Sequence, residues 1–383
     1  MKNRQNNWQK IKLGDAAGEV RNLYNPSPGE HLKYIGLEHI KQNTLRLSSI
    51  GDSADTQSAK KFFSTNDVLF GSLRAYFRKV VKPKFNGVCS TDITVLRSKN
   101  GNDQNFLYYF IANPHFIDFA AASAEGTRMP RVSWKFLSKT QWNFPPSADQ
   151  KRISDILSAF DDKIELNNKI SKNLEQTAQA IFKEWFGKSE KLKAKSEKLF
   201  KLGKIICGKT PSKSNLKYFG GEIPFIKIPD MHNQMFILKT EDSLTEVGAD
   251  SQKNKFIPRN SICVSCIATV GLVSITTKDS QTNQQINTII PKSESYLEFL
   301  YLALKTIKND LMLIGSGGST TLNINTSIFS NIEILVPEEE VIDKFHKLAN
   351  PMFNKILQIN KENQELVALR DLLLPKLMSG EIV

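Results

Sequence analysis

Gly203-Lys204-Ile205-Ile206-Cys207-Gly208-Lys209-Thr210 satisfies the pattern G-x-x-x-x-G-K-[ST], in which backbone N–H groups cradle phosphates and a lysine reaches the terminal ones. Such a loop needs a buried strand before it and a helix after it. Here a lysine-rich stretch precedes it and Pro211 follows at once, so a nucleotide hydrolase built on Lys209 is the second reading and not the first. Cys263-Val264-Ser265-Cys266 places two thiols at zinc-ligand spacing, but a structural zinc takes four ligands and no second pair lies near. Two buried thiols in an apolar strand are the expectation. Asn143-Phe144-Pro145-Pro146 has the letters of an amino-methyltransferase tetrapeptide in the wrong order, without a glycine-rich loop for S-adenosylmethionine. The five histidines, His31, His39, His115, His232 and His346, form no i,i+4 pair and no triad. No catalytic residue and no metal site is assigned, and no cofactor is expected on this chain.

What remains is basic and hydroxyl-rich. Arg74, Tyr76, Arg78 and Lys79 interleave charge with rings, and Arg128 and Arg131 flank Met129-Pro130. Lys209, Lys213, Lys217, Tyr218, Ser319 and Thr320 form a similar set farther along. Such side chains suit phosphate contacts and groove readout. The 52 Lys and Arg against 39 Asp and Glu, a formal charge of +13, favour a polyanionic partner, because basic clusters release counterions from a phosphate backbone. Four cysteines in 383 residues suit a reducing cytoplasm. No apolar run follows the first charges, so no signal peptide is expected, and no stretch approaches the ~20 apolar residues of a membrane span.

The elements that must carry these residues come in two copies. Gly126 and Gly318 stand 192 positions apart, and so do Pro145 and Pro337. The spacing holds onward: Phe160, Ile164 and Trp185 meet Met352, Ile356 and Leu377. Near the start, Leu13-Gly14 pairs with Leu202-Gly203, 189 apart. Asn66 to Phe70 echoes Asn260 to Val264, each a turn followed by a buried strand. The reading is a tandem repeat. Residues 1–146 and 199–337 are globular α+β parts, each with one antiparallel or mixed sheet and a helical stretch (105–119 and 296–313).

The tails of the two copies read as helices of about 40 residues, 147–187 and 338–383, the second stopped or kinked by Pro375. Apolar residues recur at threes and fours: Ile153, Ile156, Leu157, Phe160, Ile164, Ile170, Leu174, Ile181 and Trp185, then Val341, Phe345, Leu348, Met352, Ile356, Ile359, Leu366, Leu369 and Leu373. A lone helix of this length cannot bury its stripe, so the two are expected to pair as an antiparallel coiled coil, making a pseudo-twofold object with a globular part at each end. Residues 188–198, charged and repetitive, read as a solvated linker.

This pattern resembles the specificity subunit of type I restriction-modification systems. The residues carrying the resemblance are Leu13-Gly14 and Leu202-Gly203, Gly126-Thr127 and Gly318-Ser319, Phe144-Pro145-Pro146 and Val336-Pro337, and the terminal Leu372-Leu373-Leu374-Pro375-Lys376-Leu377-Met378-Ser379-Gly380-Glu381-Ile382. The resemblance covers the whole chain. It implies two target recognition domains, each reading half of an asymmetric DNA site, with the helices setting the gap. It also implies helices that dock modification subunits, which methylate adenine, with restriction subunits joining them. S-adenosylmethionine, ATP and magnesium would then be bound by those partners. A coiled-coil scaffold without DNA contact is a third reading.

Overall fold

In the computed structural model, residues 7–187 other than 26 and 28, 194–316 and 322–382 are described. The chain divides into two compact units. One comprises Met1–Ile164 with Glu365–Val383, the other Glu165–Gln364.

Each unit is closed by a two-stranded clasp. Gln9–Lys12 pairs antiparallel with Gln141–Phe144, and Lys195–Lys198 pairs antiparallel with Glu333–Val336. The clasp brings the beginning and end of a globular part together just before the prolines that precede each long helix. The expected linker over 188–198 is therefore shorter. Its last four residues are strand, held by their ladder to Glu333–Val336; residues 188–193 lie outside the described ones.

Behind each clasp is a largely antiparallel sheet built in the same order. In the first unit, Ala17–Glu19, Ile93–Ser98, Val68–Gly71 and Val80–Val81 lie side by side. In the second, Gly203–Cys207, Ile286–Pro291, Ile262–Ser265 and Val273–Thr276 do so, with Phe236–Ile237 added in parallel. Asn66 and Asn260 both take the left-handed conformation, at φ 69° and 62°, immediately before their matching strands. The starts of the copies align differently from the Leu-Gly reading. Leu13 N–H donates to the Thr140 carbonyl, and Leu199 N–H to that of Ile332, at 2.9 and 3.0 Å. Thr140 and Ile332 keep the 192-residue spacing, so Leu13 corresponds to Leu199. Leu202 corresponds to Ala16, each carbonyl accepting from Lys292 or Lys99.

The expectation of one sheet per globular part is corrected. The first unit adds a five-stranded sheet of Leu23–Tyr24, Lys60–Phe63, Gly87–Ser90, Lys33–Ile35 and Gly51–Asp52. The second adds Asp242–Leu244, Phe219–Ile226 and Gln281–Thr282. Several of these strands are only two or three residues long, too short to show alternation. Each expected helical stretch is two helices: Gln104–Ala112 then Pro114–Ala122, and Tyr296–Thr306 then Lys308–Gly315. Asn113 is extended, as a residue before proline must be, and its carboxamide caps the second helix at His115 N–H.

The long helices run Ser147–Phe186 and Glu339–Met378. The second continues through Pro375, whose missing N–H leaves out one bond close to the terminus, so the expected stop does not occur. Within each unit their segments pair antiparallel. In the first, Asp161 meets Arg370, while Ile153 and Leu157 share a core with Leu374 and Leu377. In the second, Asn167 meets Asn363, and Phe182 packs its ring 5.8 Å from Phe345.

Of the residues expected in the stripes, Ile153, Leu157, Ile164, Phe345, Ile356 and Ile359 are buried. Phe160, Leu174, Ile181, Trp185, Met352, Leu366 and Leu373 are half-buried. Ile156, Ile170, Leu348 and Leu369 face outward instead. Their places are taken by Ala178, Phe182, Ile342, Phe353 and Leu377, together with the polar Asn167, Asn363 and Arg370. The apolar stripe drifts around a straight helix, so a residue matching the period at one end leaves the seam at the other. No helix among the described residues is long and apolar enough to cross a membrane.

Candidate nucleic-acid interface

The arginines of the first unit converge because two backbone segments are stitched together. Strand Val68–Gly71 ends at Ser72, whose N–H and hydroxyl both donate to the Asp92 carbonyl, at 2.9 and 2.7 Å. Ser72 in turn accepts from Val132 N–H, and Leu73 bridges Arg131. The chain then turns sharply, with Arg74 and Arg78 both left-handed at φ 52° on either side of the short turn Ala75–Phe77. For a non-glycine residue that conformation carries strain, which the surrounding bonds must hold. Arg74 N–H donates to Pro130, and its Nη2 lies 3.3 Å from the Arg128 carbonyl.

The side chains on this ridge differ in their partners. Arg131 donates from Nε to Asp92 Oδ1 at 3.0 Å, and its Nη2 lies 2.9 Å from the same oxygen in an ion pair. Arg78 pairs with Asp118 at 3.0 Å. Arg74 meets a carbonyl, that of Arg128, where the other two meet carboxylates. Tyr76 is half exposed and packs on Phe77. Lys79 does not join the ridge. Its ammonium turns inward to the Leu37 carbonyl at 2.6 Å, and burial pulls its pKa below the usual lysine range. Four of the sequence-predicted arginines and Tyr76 therefore come together, and Lys79 serves the fold.

The second unit repeats the backbone without the arginines. Cys266 N–H donates to Gln285, and Cys266 accepts from Ile324 N–H, each at 2.8 Å. Ile267 bridges Asn323, and Ala268 is left-handed at φ 62°, its N–H on Leu322. Ser72, Arg74, Asp92 and Arg131 thus have Cys266, Ala268, Gln285 and Asn323 as counterparts. Lys209 adjoins this ridge through its neighbour Thr210, which donates to Gln284 at 2.7 Å. Lys213 is exposed and Lys217 and Tyr218 lie in a separate turn, Leu216–Tyr218, whose Lys217 and Tyr218 carbonyls hold Thr245. Ser319 and Thr320 lie outside the described residues. Asn323, Gln284 and Gln285 were missed because nothing but the strand bridge distinguishes them from other polar loop residues.

The motifs that suggested other chemistry have structural explanations. Gly203–Cys207 is a strand, and the N–H groups of Gly208 and Lys209 are spent on Ile286 and Thr282 carbonyls. Gly208 sits where a Cβ would lie 2.1 Å from the Thr282 hydroxyl oxygen. The cradle a phosphate needs is already filled by protein. Cys263 and Cys266 are buried, and desolvation pushes their pKa values up to about 12 and about 11. Among the described residues no group of His, Cys, Asp and Glu could hold a metal ion.

Comparison with known proteins agrees on one family. The Type I restriction modification DNA specificity domain matches twice, over residues 5–176 and 194–366. The chain is 36% identical, over an alignment of 458 positions, to the specificity subunit of the type I restriction enzyme HindI from Haemophilus influenzae, covering 98% of this chain and 99% of that one. It is 25% identical over 307 positions to the MjaIX specificity subunit from Methanocaldococcus jannaschii, covering 74% and 70%. In fold it is similar to the crystal structure of a type I S subunit from M. genitalium, with a TM-score of 0.62 at 16% identity, covering 98% and 97%.

Proposed function

Because this chain belongs to the type I restriction-modification DNA specificity family, we propose that its two ridges are DNA-reading surfaces, one for each half of an asymmetric bipartite site. The chain is a specificity subunit, a DNA-recognition component and not the catalyst. The observation that carries the assignment to the ridges is their shared backbone with unlike side chains: Arg74 and Arg131 in one unit, Ala268 and Asn323 in the other. A common frame with different side chains holds two readers in similar poses while letting each prefer its own bases. Arg74, Arg128, Lys209, Lys213 and Lys217 supply phosphate contacts, and Tyr76 offers a ring at the same edge.

The partners in this proposal are double-stranded DNA, modification subunits and restriction subunits. The outward residues on the long helices, Ile156 and Leu369 in one unit and Ile170 and Leu348 in the other, are surfaces each unit offers to the modification subunits. S-adenosylmethionine, ATP and magnesium belong to those partners, and the complex works in the cytoplasm. The test is adenine-methylation mapping of the source organism with and without this gene. Loss of one bipartite motif is expected; an unchanged methylation pattern in a strain with an active system would refute the assignment. Neither a hydrolase nor a bare scaffold predicts that loss.

A further inference from the structure

Arg131 and Asn323 occupy the same place in their two units. Each bridges the residue after a matching sheet strand, Leu73 or Ile267. Each lies one residue before a backbone donor, Val132 or Ile324, that bonds the preceding strand end. Arg131 pairs with Asp92, and the counterpart of Asp92 in the second unit, by its backbone bond to Cys266, is Gln285. We propose that this position reads one base pair in each half-site, a guanine through Arg131 and an adenine through Asn323. The inference rests on the ridges being the DNA-reading surfaces.

The bonding of Arg131 is what separates a base contact from a phosphate contact. Its side chain is 56% exposed, yet Nε donates to an Asp92 oxygen and Nη2 lies 2.9 Å from that oxygen in an ion pair. That carboxylate cancels the guanidinium charge locally and would repel a phosphate brought to the same place. It also fixes the guanidinium plane, so less rotamer freedom is lost on binding. Both Nη1 protons and one on Nη2 remain, a flat pair of donors matching the O6 and N7 acceptors of guanine.

In the second unit the guanidinium and the carboxylate have disappeared together. Asn323 presents one donor and one acceptor side by side, the complement of adenine N6 and N7. Its loss of positive charge removes the need for a fixing anion, and Gln285 is neutral, its Oε1 accepting from Asn283 at 3.1 Å. Arg74 is the contrast. With a carbonyl and no carboxylate as its partner, it retains the charge that a phosphate contact uses.

The test uses the full chain expressed with its modification subunit and maps methylated adenines across a genome. The unaltered chain should place a motif with guanine in the half read by the first unit. Arg131→Gln should change that guanine to adenine at one position and leave the other half intact. Asn323→Arg combined with Gln285→Asp should change one adenine to guanine in the other half. Discrimination at each position should fall or invert by roughly 10- to 100-fold. A motif that survives both changes overturns the proposal. Should a variant give no methylation, its affinity for duplexes substituted one base pair at a time decides: tolerance gained at one position supports it, and an equal loss on every duplex overturns it. If the unaltered chain directs no bipartite motif at all, the failure belongs to the function proposed above and not to this position.

Discussion

Arg370 Nη1 donates to Asp161 Oδ1 at 2.5 Å across the paired helices of the first unit, with the arginine side chain 1% exposed. Asp371 takes two further bonds from the same guanidinium, and Tyr109 donates its hydroxyl to the other Asp161 oxygen at 2.7 Å. A charge this deep is held only by such partners, since removing one leaves the other desolvated and unpaired. Arg370→Met should destabilise the chain by about 3 kcal/mol, read as a lower urea midpoint. Arg370→Met with Asp161→Leu should recover most of that loss. A single variant as stable as the parent would contradict this account of the seam.

Asn167 and Asn363 make the corresponding contact in the second unit, at 3.0 Å, with Asn363 also donating to Asn168. A buried carboxamide pair between two helices fixes register, because a slip strands both amides. Asn363→Leu should cost about 1–3 kcal/mol by leaving Asn167 short of a partner. Replacing Asn167 and Asn363 together by leucine should restore stability while broadening the helix register. Cysteine cross-linking between neighbouring helix positions would show it, and a single cross-linked register in the double variant would count against the idea.

The thiols give a prediction with a definite sign. Burial raises the pKa of Cys89 and Cys263 to about 12 and of Cys266 to about 11. Their thiolate fraction at pH 8 is therefore small, and iodoacetamide should modify half-buried Cys207 and spare the other three until the chain unfolds. A raised acid pKa keeps its full stability below the unfolded value, roughly 8.5, and loses it as pH rises through the folded one. Unfolding midpoints should accordingly decline between about pH 9 and 12. Rapid labelling of Cys263 in the native chain would contradict the burial.

Lys209 separates the two meanings of its motif. Lys209→Ala should leave the fold unchanged, because its side chain is exposed and the loop is held by backbone bonds. DNA affinity should fall equally across sequences, and the slope of log K against log salt should flatten by about 0.9. Gly208→Ala should instead impair folding through its contact with Thr282. Saturable nucleotide binding that disappears in Lys209→Ala would revive the phosphate-loop reading.

The duplication and both long helices were readable because proline and glycine punctuate them and their apolar period is strong. Pro145-Pro146 and Pro337 mark the starts within two residues. Pro114 carried the break between Gln104–Ala112 and Pro114–Ala122 in plain view, whereas the break at Ile307 has no such residue. The polar seam was invisible, since a search for apolar spacing passes over Asn167, Asn363 and Arg370. The ridge was half readable. Arginines beside rings suggested Arg74, Arg78, Arg128 and Arg131, but Lys79 looks the same in sequence and differs only by pointing at Leu37. Asn323 gains its meaning from a partner strand more than 50 residues away.

The claim that each globular part reads its own half-site is tested most directly by methylation mapping of a chimaera in which residues 199–337 are replaced by the matching part of another family member. Replacement of one half of the motif, with the other half retained base for base, is the predicted result. A motif altered in both halves, or in neither, would contradict it.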